Sequence, residues 1–269
     1  MNNNIIDVLS LIDSKNRSSK NWANHNFLYQ KLSKDLPIKL FELKRSFKNI
    51  LLLSSDGGEA LNEITKINYE KIIFFSPYIE LLKRSHKSLK NTQRIRGNFE
   101  NLPFNYEKFD LIISNLNLHC INKKKEHFKN IYNLLKKDGL LLCNFFGENS
   151  LIELKNSLFH TDEKTFKGVY ARQLPNLKMV DITDLLSREG FKELVSEKIS
   201  YKIYYNHVMD LLKDLKGTGE NCFISSRKKS LMTNKYIEVL NDQYKKNFGN
   251  INGLTATCDV ISVSCWKGS

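Results

Sequence analysis

Long apolar runs are missing from this 269-residue chain. Nothing approaches the roughly 18 consecutive apolar residues that a membrane-spanning helix requires, so no such span is expected. A secretory leader is not expected either. The stretch 3–14 is mildly apolar, but Asp7 and Asp13 interrupt it and its positive charges follow rather than precede it. Cysteine is sparse and odd in number. Cys120, Cys143, Cys222, Cys258 and Cys265 are scattered and mostly lie inside apolar runs, as buried thiols do in a reduced, cytoplasmic protein. No His and Cys residues stand at metal-ligand spacing, which removes the usual basis for a metal site.

Alanine and arginine are also scarce. Alanine occurs 4 times, and of the 42 basic residues only 8 are Arg against 34 Lys, while Asn occurs 30 times. That bias is what an AT-rich coding sequence produces whatever the function. The net charge of +13 would suit nucleic acid, but readers of nucleic acid cluster Arg for bidentate contacts. Here the basic residues sit in short separated runs such as 123–125, 136–137 and 228–229. The charge is therefore read as solvated surface, attractive to an acidic partner but not a nucleic-acid interface.

What is present is an alternation of apolar runs and amphipathic stretches. Residues 49–54, 71–75, 109–114 and 140–146 read as buried strands. Residues 59–66, 78–89 and 123–137 read as helices, with Phe128, Ile131, Tyr132 and Leu135 on one face of the last and Gly139 as its stop. Further on, 203–215 and 231–246 read as helices and 258–266 as a terminal strand. Continuous apolar strands alternating with helices predict an α/β protein with a mostly parallel sheet covered on both faces. Such a sheet binds its ligand beyond the carboxyl ends of the strands, at the topological switch point. The loops after Leu53, Phe75 and Ile113 are the ones to inspect.

The segments 97–104 (GNFENLPF), 109–116 (FDLIISNL) and 134–140 (LLKKDGL), in that order and spacing, resemble the core of class I S-adenosylmethionine (SAM) methyltransferases. Phe146-Gly147, Leu185-Leu186, Gly190-Phe191 and above all 214–221 (DLKGTGEN) narrow the resemblance to one subgroup. It holds the biotin-pathway malonyl-ACP O-methyltransferase and the mitochondrial complex I assembly factor of methyltransferase fold. Trp266-Lys267 is more similar to the assembly-factor branch, and the resemblance extends to Lys20-Asn21-Trp22. It implies a Rossmann-like, seven-stranded, mostly parallel sheet with helices on both faces and the last strand antiparallel. It also implies a helical N-terminal cover over residues 1–48 and a methyltransferase-like domain over 49–269, with substrate-side helical additions in 150–250.

The resemblance places SAM at Leu52, Ser54, Asp56, Gly58, Ser76, Asn98, Phe99 and Asn115. Several of these depart from the family pattern. Leu52 stands where an acid ends the first strand. Ser54 and Asp56 replace two of three glycines, leaving Gly58. Ser76 stands at the acid for the ribose, and Asn98 at the Asp for the adenine amino group. A hydrogen bond to a charged group contributes about 1.5–3 kcal/mol. Three missing carboxylates could therefore cost on the order of 5–9 kcal/mol, against about 8 kcal/mol for a micromolar ligand. Asp56 and Glu59 also have the spacing of a capping box. Either the Asp56 carboxylate takes the helix amides that would face the cofactor's anionic end, or Asp56 is a plain turn residue.

Trp22, Tyr29, His119, Arg172, Gly217 and Gly219 are the candidates for substrate contact or lid. His119-Cys120 can be read as base and nucleophile or as pocket lining, and Gly217-Thr218-Gly219 as a lid segment or a helix-ending turn. Two main functions follow from the resemblance. One is SAM-dependent methyl transfer to a carrier-bound acyl carboxylate or a protein; a carboxylate acceptor needs alignment rather than a base, and no catalytic residue is assigned. The other is a catalytically silent assembly protein for respiratory complex I, or an arginine hydroxylase of that type. The implied partner is an acyl-carrier protein or a protein such as a complex I subunit.

Overall fold

The computed structural model describes residues 4–85, 89–227 and 232–268. In chain order the elements are α1 (Val8–Ser18), α2 (Phe27–Ser33), α3 (Asp35–Glu42), β1 (Asn49–Ser54), α4 (Glu59–Ile64), β2 (Lys71–Ser76), α5 (Ile79–Arg84), β3 (Thr92–Arg96), β4 (Phe109–Asn115) and α6 (Lys124–Leu134). They continue with β5 (Leu135–Phe146), α7 (Ile152–Phe166), α8 (Met179–Arg188), β6 (Phe191–Tyr205), α9 (Val208–Gly217), α10 (Asn234–Phe248), β7 (Gly249–Asn250) and β8 (Gly253–Lys267).

One sheet runs in the order β3-β2-β1-β4-β5-β8-β6, with the two-residue β7 folded onto β8. Strands β1 to β5 pair in parallel. β8 runs antiparallel to both of its long neighbours, β5 and β6. This is the mostly parallel α/β sheet that the strand runs predict. The order turns back between β1 and β4, where Ser54 and Asn115 are register partners at the carboxyl ends. That is the switch point at which a ligand crevice is expected.

β1 shows why the sheet is covered on both faces. Its side chains alternate between two separate cores: Leu51 and Leu53 pack with Phe75 and Ile112, whereas Ile50 and Leu52 pack with Phe74 and Ile113. The N-terminal helices contribute to both. Leu11, Trp22 and Tyr29 join the first core, and Leu36 and Leu40 join the second beside Leu61 of α4. A third core, over β8, is built by Leu154 and Leu158 of α7, Leu211 of α9 and Leu240 and Tyr244 of α10.

Several boundaries differ from the sequence reading, three of them at helices with an evident local cause. The helix expected over 203–215 begins only at Val208, because Ile203–Tyr205 finish β6 and pair with Thr255, Ala256 and Leu254 of β8. The helix expected to run to Lys137 and stop at Gly139 ends at Leu134. Leu135 is already extended and pairs with Phe109, and the ladder then shifts register to Leu111–Leu140 across the positive-φ Asp138. The helix expected over 78–89 covers 79–84, where the extended Ser85 ends it; its expected continuation lies partly outside the described residues. Two strands had no apolar run to announce them. β3 and β6 are the sheet edges, and polar, largely solvent-facing residues interrupt their apolar ones.

Candidate functional site

The chain leaves β1 through Ser54, Ser55, Asp56, Gly57 and Gly58, and all five are buried. Gly58 adopts φ 109°, and a Cβ there would lie 2.6 Å from the Cβ of Ser85, so only glycine fits. The Asp56 carboxylate sits inside this turn. Its Oδ1 accepts from the Gly58 amide at 2.8 Å. Its Oδ2 accepts from the Ala60 amide at 3.1 Å, the Ser54 hydroxyl at 2.8 Å and the Asn115 amide nitrogen at 3.4 Å. Burial, reinforced by the nearby Glu59, pushes the Asp56 pKa up to about 6, while the bonds from Gly58, Ser54 and Ala60 work the other way. The group is therefore still largely a carboxylate at neutral pH.

Glu59 takes up the Gly57 amide of the turn. Its Oε2 accepts from Gly57 N at 2.8 Å, and its Oε1 accepts from Trp22 Nε1 at 2.7 Å and Asn26 Nδ2 at 2.6 Å. The Trp22 indole is fully buried and lies on the bare face of Gly57, where a Cβ would come within 2.8 Å of Nε1. Behind it Trp22 packs on Tyr29 with ring centroids 4.9 Å apart. The Lys15 ammonium, also fully buried, points at the rings of Tyr29, Trp22 and Tyr78 at 5.4, 5.9 and 6.0 Å.

The other predicted cofactor positions offer no open acceptor. Leu52 is buried in the core of the opposite face. Ser76 is buried and faces the Tyr78 amide at 3.4 Å. Asn98 is exposed and accepts from Glu100 N at 3.0 Å. Phe99 packs edge-on against Tyr78. Asn115 is buried between Ser54, Asp56 and Asn144. All of these but Leu52 and Asn98 lie buried near the ends of β1, β2 and β4. Carboxylates are absent where hydroxyls and an adenine would need them, and the Gly57, Gly58 and Ala60 amides already have acceptors. In this arrangement the residues do not fit SAM.

The space lies on the other side of Tyr29. A cavity of about 400 Å³ is bounded by α2, the end of β5, α7, the segment 171–176, β6, α9 and β8. Of the predicted residues it takes in Tyr29, His119 and Arg172, and none of the eight cofactor positions. Its polar end is organised by Glu220. Oε1 accepts from Lys15 Nζ at 2.5 Å and from the Tyr29 hydroxyl at 2.5 Å, and Oε2 lies 2.9 Å from His119 Nε2. Burial opposes the charge on Glu220, but Lys15 and His119 together hold it well below the usual carboxylate range. Burial also opposes a charge on His119; the Cys120 sulfur and Glu220 outweigh it and raise the imidazole to about 10.

Arg172 is fixed elsewhere in the wall. It makes two 2.6 Å bonds to Asp162, which also accepts from the Tyr236 hydroxyl at 2.7 Å. Gly217 and Gly219 are not wall residues. A Cβ on Gly217 would collide with His25 at 2.1 Å, and Gly219, at φ 70°, has its Cβ position 3.0 Å from Lys15 Cα. Their role is to let the end of α9 close against the N-terminal segment. Lys15 and Glu220 escaped the sequence reading as site residues. The signal was there: Leu11, Ser14, Lys15 and Ser18, the buried face of α1, follow helical spacing, so Lys15 needed a buried anion. No group of three His, Cys, Asp or Glu residues among the described residues is placed to hold a metal. No helix among them is long and apolar enough to cross a membrane.

A family profile described as "Methyltransferase domain" matches residues 55–143. Over 97% of its length the chain is 27% identical to "Arginine-hydroxylase NDUFAF5, mitochondrial" of Rattus norvegicus, spanning 78% of that protein. Over 96% of its length it is 29% identical to "Malonyl-[acyl-carrier protein] O-methyltransferase 2" of Ilyobacter polytropus, spanning 97% of that protein. The crystal structure of the YcgJ protein from Bacillus subtilis shares the fold with a TM-score of 0.62 at 16% identity, over 89% of this chain and 99% of that one. Sheet order, switch point and these relationships define a Rossmann-like α/β protein of the class I type. Residues 55–143 match the methyltransferase domain, and the chain has the fold of class I SAM-dependent methyltransferases.

Proposed function

We propose that this chain is a member of its family that works without SAM, as a binding or assembly protein acting through its substrate-side cavity. The observation that carries the reading is the Asp56 carboxylate holding the Gly58 and Ala60 amides inside a fully buried turn. A cofactor carboxylate placed there would meet a like charge, with the Gly57, Gly58 and Ala60 amides already engaged. The substrate-side cavity is kept, and with it a place for a ligand. The partners named for its relatives supply the candidates: an acyl-carrier protein, or a protein bearing a modified side chain. A cytoplasmic setting belongs to the same proposal.

A thermal-shift titration tests it. A ligand present at a hundred times its Kd stabilises the folded state by about 2.7 kcal/mol, which moves a melting temperature by several degrees. SAM at about 1 mM is expected to leave the melting temperature unchanged. A shift of several degrees would restore methyl transfer to a carrier-bound acyl carboxylate or a protein as the better reading.

A further inference from the structure

The wall of the cavity states which chemistry its ligand carries. Most of the surface is aliphatic or aromatic, with Phe146, Leu154, Leu158, Ile203 and Leu211 as representative contacts. Its carboxylates are already spent. Glu220 receives Lys15, Tyr29 and His119. Asp214 receives His25 at 2.6 Å and the Tyr205 hydroxyl. The cations are matched too, Arg172 by Asp162 and Arg227 by Asp7 at 3.1 Å.

Donors, by contrast, are left over. Gln173 Nε2 is a buried nitrogen of a wall residue with no hydrogen-bond partner, and His119 Nδ1 has nothing better than the weak acceptor Cys120 sulfur. A buried donor without a partner is destabilising until something accepts from it. The elevated pKa of His119 keeps a proton on Nδ1 and is consistent with that count.

We propose that the cavity binds a single aliphatic chain whose head is a hydrogen-bond acceptor, the chemistry of a medium-chain acyl ester or thioester. A guanidinium or ammonium head, which only donates, finds the wall carboxylates Asp214 and Glu220 already engaged and meets the His119 imidazole instead. The proposal rests on the reading that the substrate side is the working face of this chain. It favours an acyl partner over an arginine-bearing one.

The test is calorimetric titration of the full chain with butyryl, hexanoyl and octanoyl N-acetylcysteamine thioesters, with octylguanidine and octylamine as donor-headed probes of similar length. Burying a methylene changes an equilibrium by about fourfold, so affinity should rise by at least about tenfold from butyryl to octanoyl. Octylguanidine and octylamine should each bind at least about tenfold more weakly than the octanoyl thioester. In Leu212→Trp, which fills the wall from half-buried α9, the chain-length dependence should disappear while circular dichroism stays native. The proposal is overturned by a donor-headed probe binding as tightly as the thioester, by an absence of chain-length dependence, or by a dependence that survives Leu212→Trp in a folded variant. SAM binding is measured separately, so failure here and failure of the cofactor-free reading are told apart.

Discussion

The ammonium of Lys15 lies 2.5 Å from Glu220 Oε1, joining helix α1 to the end of α9 across 205 positions of sequence. Lys15 is entirely buried and the Glu220 side chain is only 15% exposed. Removing one partner of a buried pair leaves an uncompensated charge, at a cost of about 3–5 kcal/mol. Lys15→Met is expected to lose stability of that order in urea unfolding. Adding Glu220→Gln should recover part of it, because the stranded carboxylate goes with its partner. Strictly additive losses in the double variant would contradict the pairing.

Trp22 closes the turn after β1, and its removal should open it. Trp22→Ala deletes a fully buried indole and is expected to cost about 3–5 kcal/mol. Trp22→Phe should cost less, mainly the bond to Glu59, which at about 1.5–3 kcal/mol is typical for a charged acceptor. Hydrogen exchange gives the readout beyond stability. The Gly57 and Gly58 amides should exchange faster in Trp22→Ala than in the parent. Unchanged protection at those amides would show that Trp22 does not seal the loop.

His127 makes stability depend on pH. It is fully buried, and its Nδ1 donates to the Phe99 carbonyl at 2.8 Å. Burial lowers its pKa to about 4; Lys124 acts in the same sense and the Phe99 bond against it. The unfolded imidazole, near 6.5, takes up a proton that the native one refuses, so stability falls as pH drops from about 6.5 to about 4. Between pH 8 and pH 5 the loss from this residue is about 2 kcal/mol. Asp56 has the opposite sign. Its pKa is raised to about 6, so its contribution improves as pH falls through 6 towards 4. His127→Asn keeps the donor to Phe99 and removes the titration, so it should lose less stability than the parent over that interval. Equal losses would contradict the assignment.

How much was legible in the sequence depended on burial. β1, β2 and β4 are central strands packed on both faces, and their unbroken apolar runs gave their bounds to within a residue. β6 is an edge strand paired only with β8 and has a partly solvent-facing surface, so its 15 residues carry no run, and its last residues read as helix. The candidate site divides in the same way. Asp56 and Glu59 are the first and last of four consecutive positions in one turn, so their competition for its amides could be posed from spacing alone. The meeting of Lys15, Tyr29, His119 and Glu220 could not, because it needs three distant segments brought together by the packing of α1 and α9 on the sheet. The cavity likewise draws on chain from α2 to β8, and no local pattern announces it.

The central claim is that the turn after β1 is closed by its own carboxylate. Calorimetric titration of the parent chain and of Asp56→Gly with SAM tests it most directly. The account predicts no heat of binding for the parent up to about 1 mM, where even a weak Kd near 1 mM would correspond to about 4 kcal/mol of binding free energy. It predicts a measurable response once Asp56→Gly frees the Gly58 and Ala60 amides. Micromolar binding by the parent, or the same silence from both proteins, would contradict it.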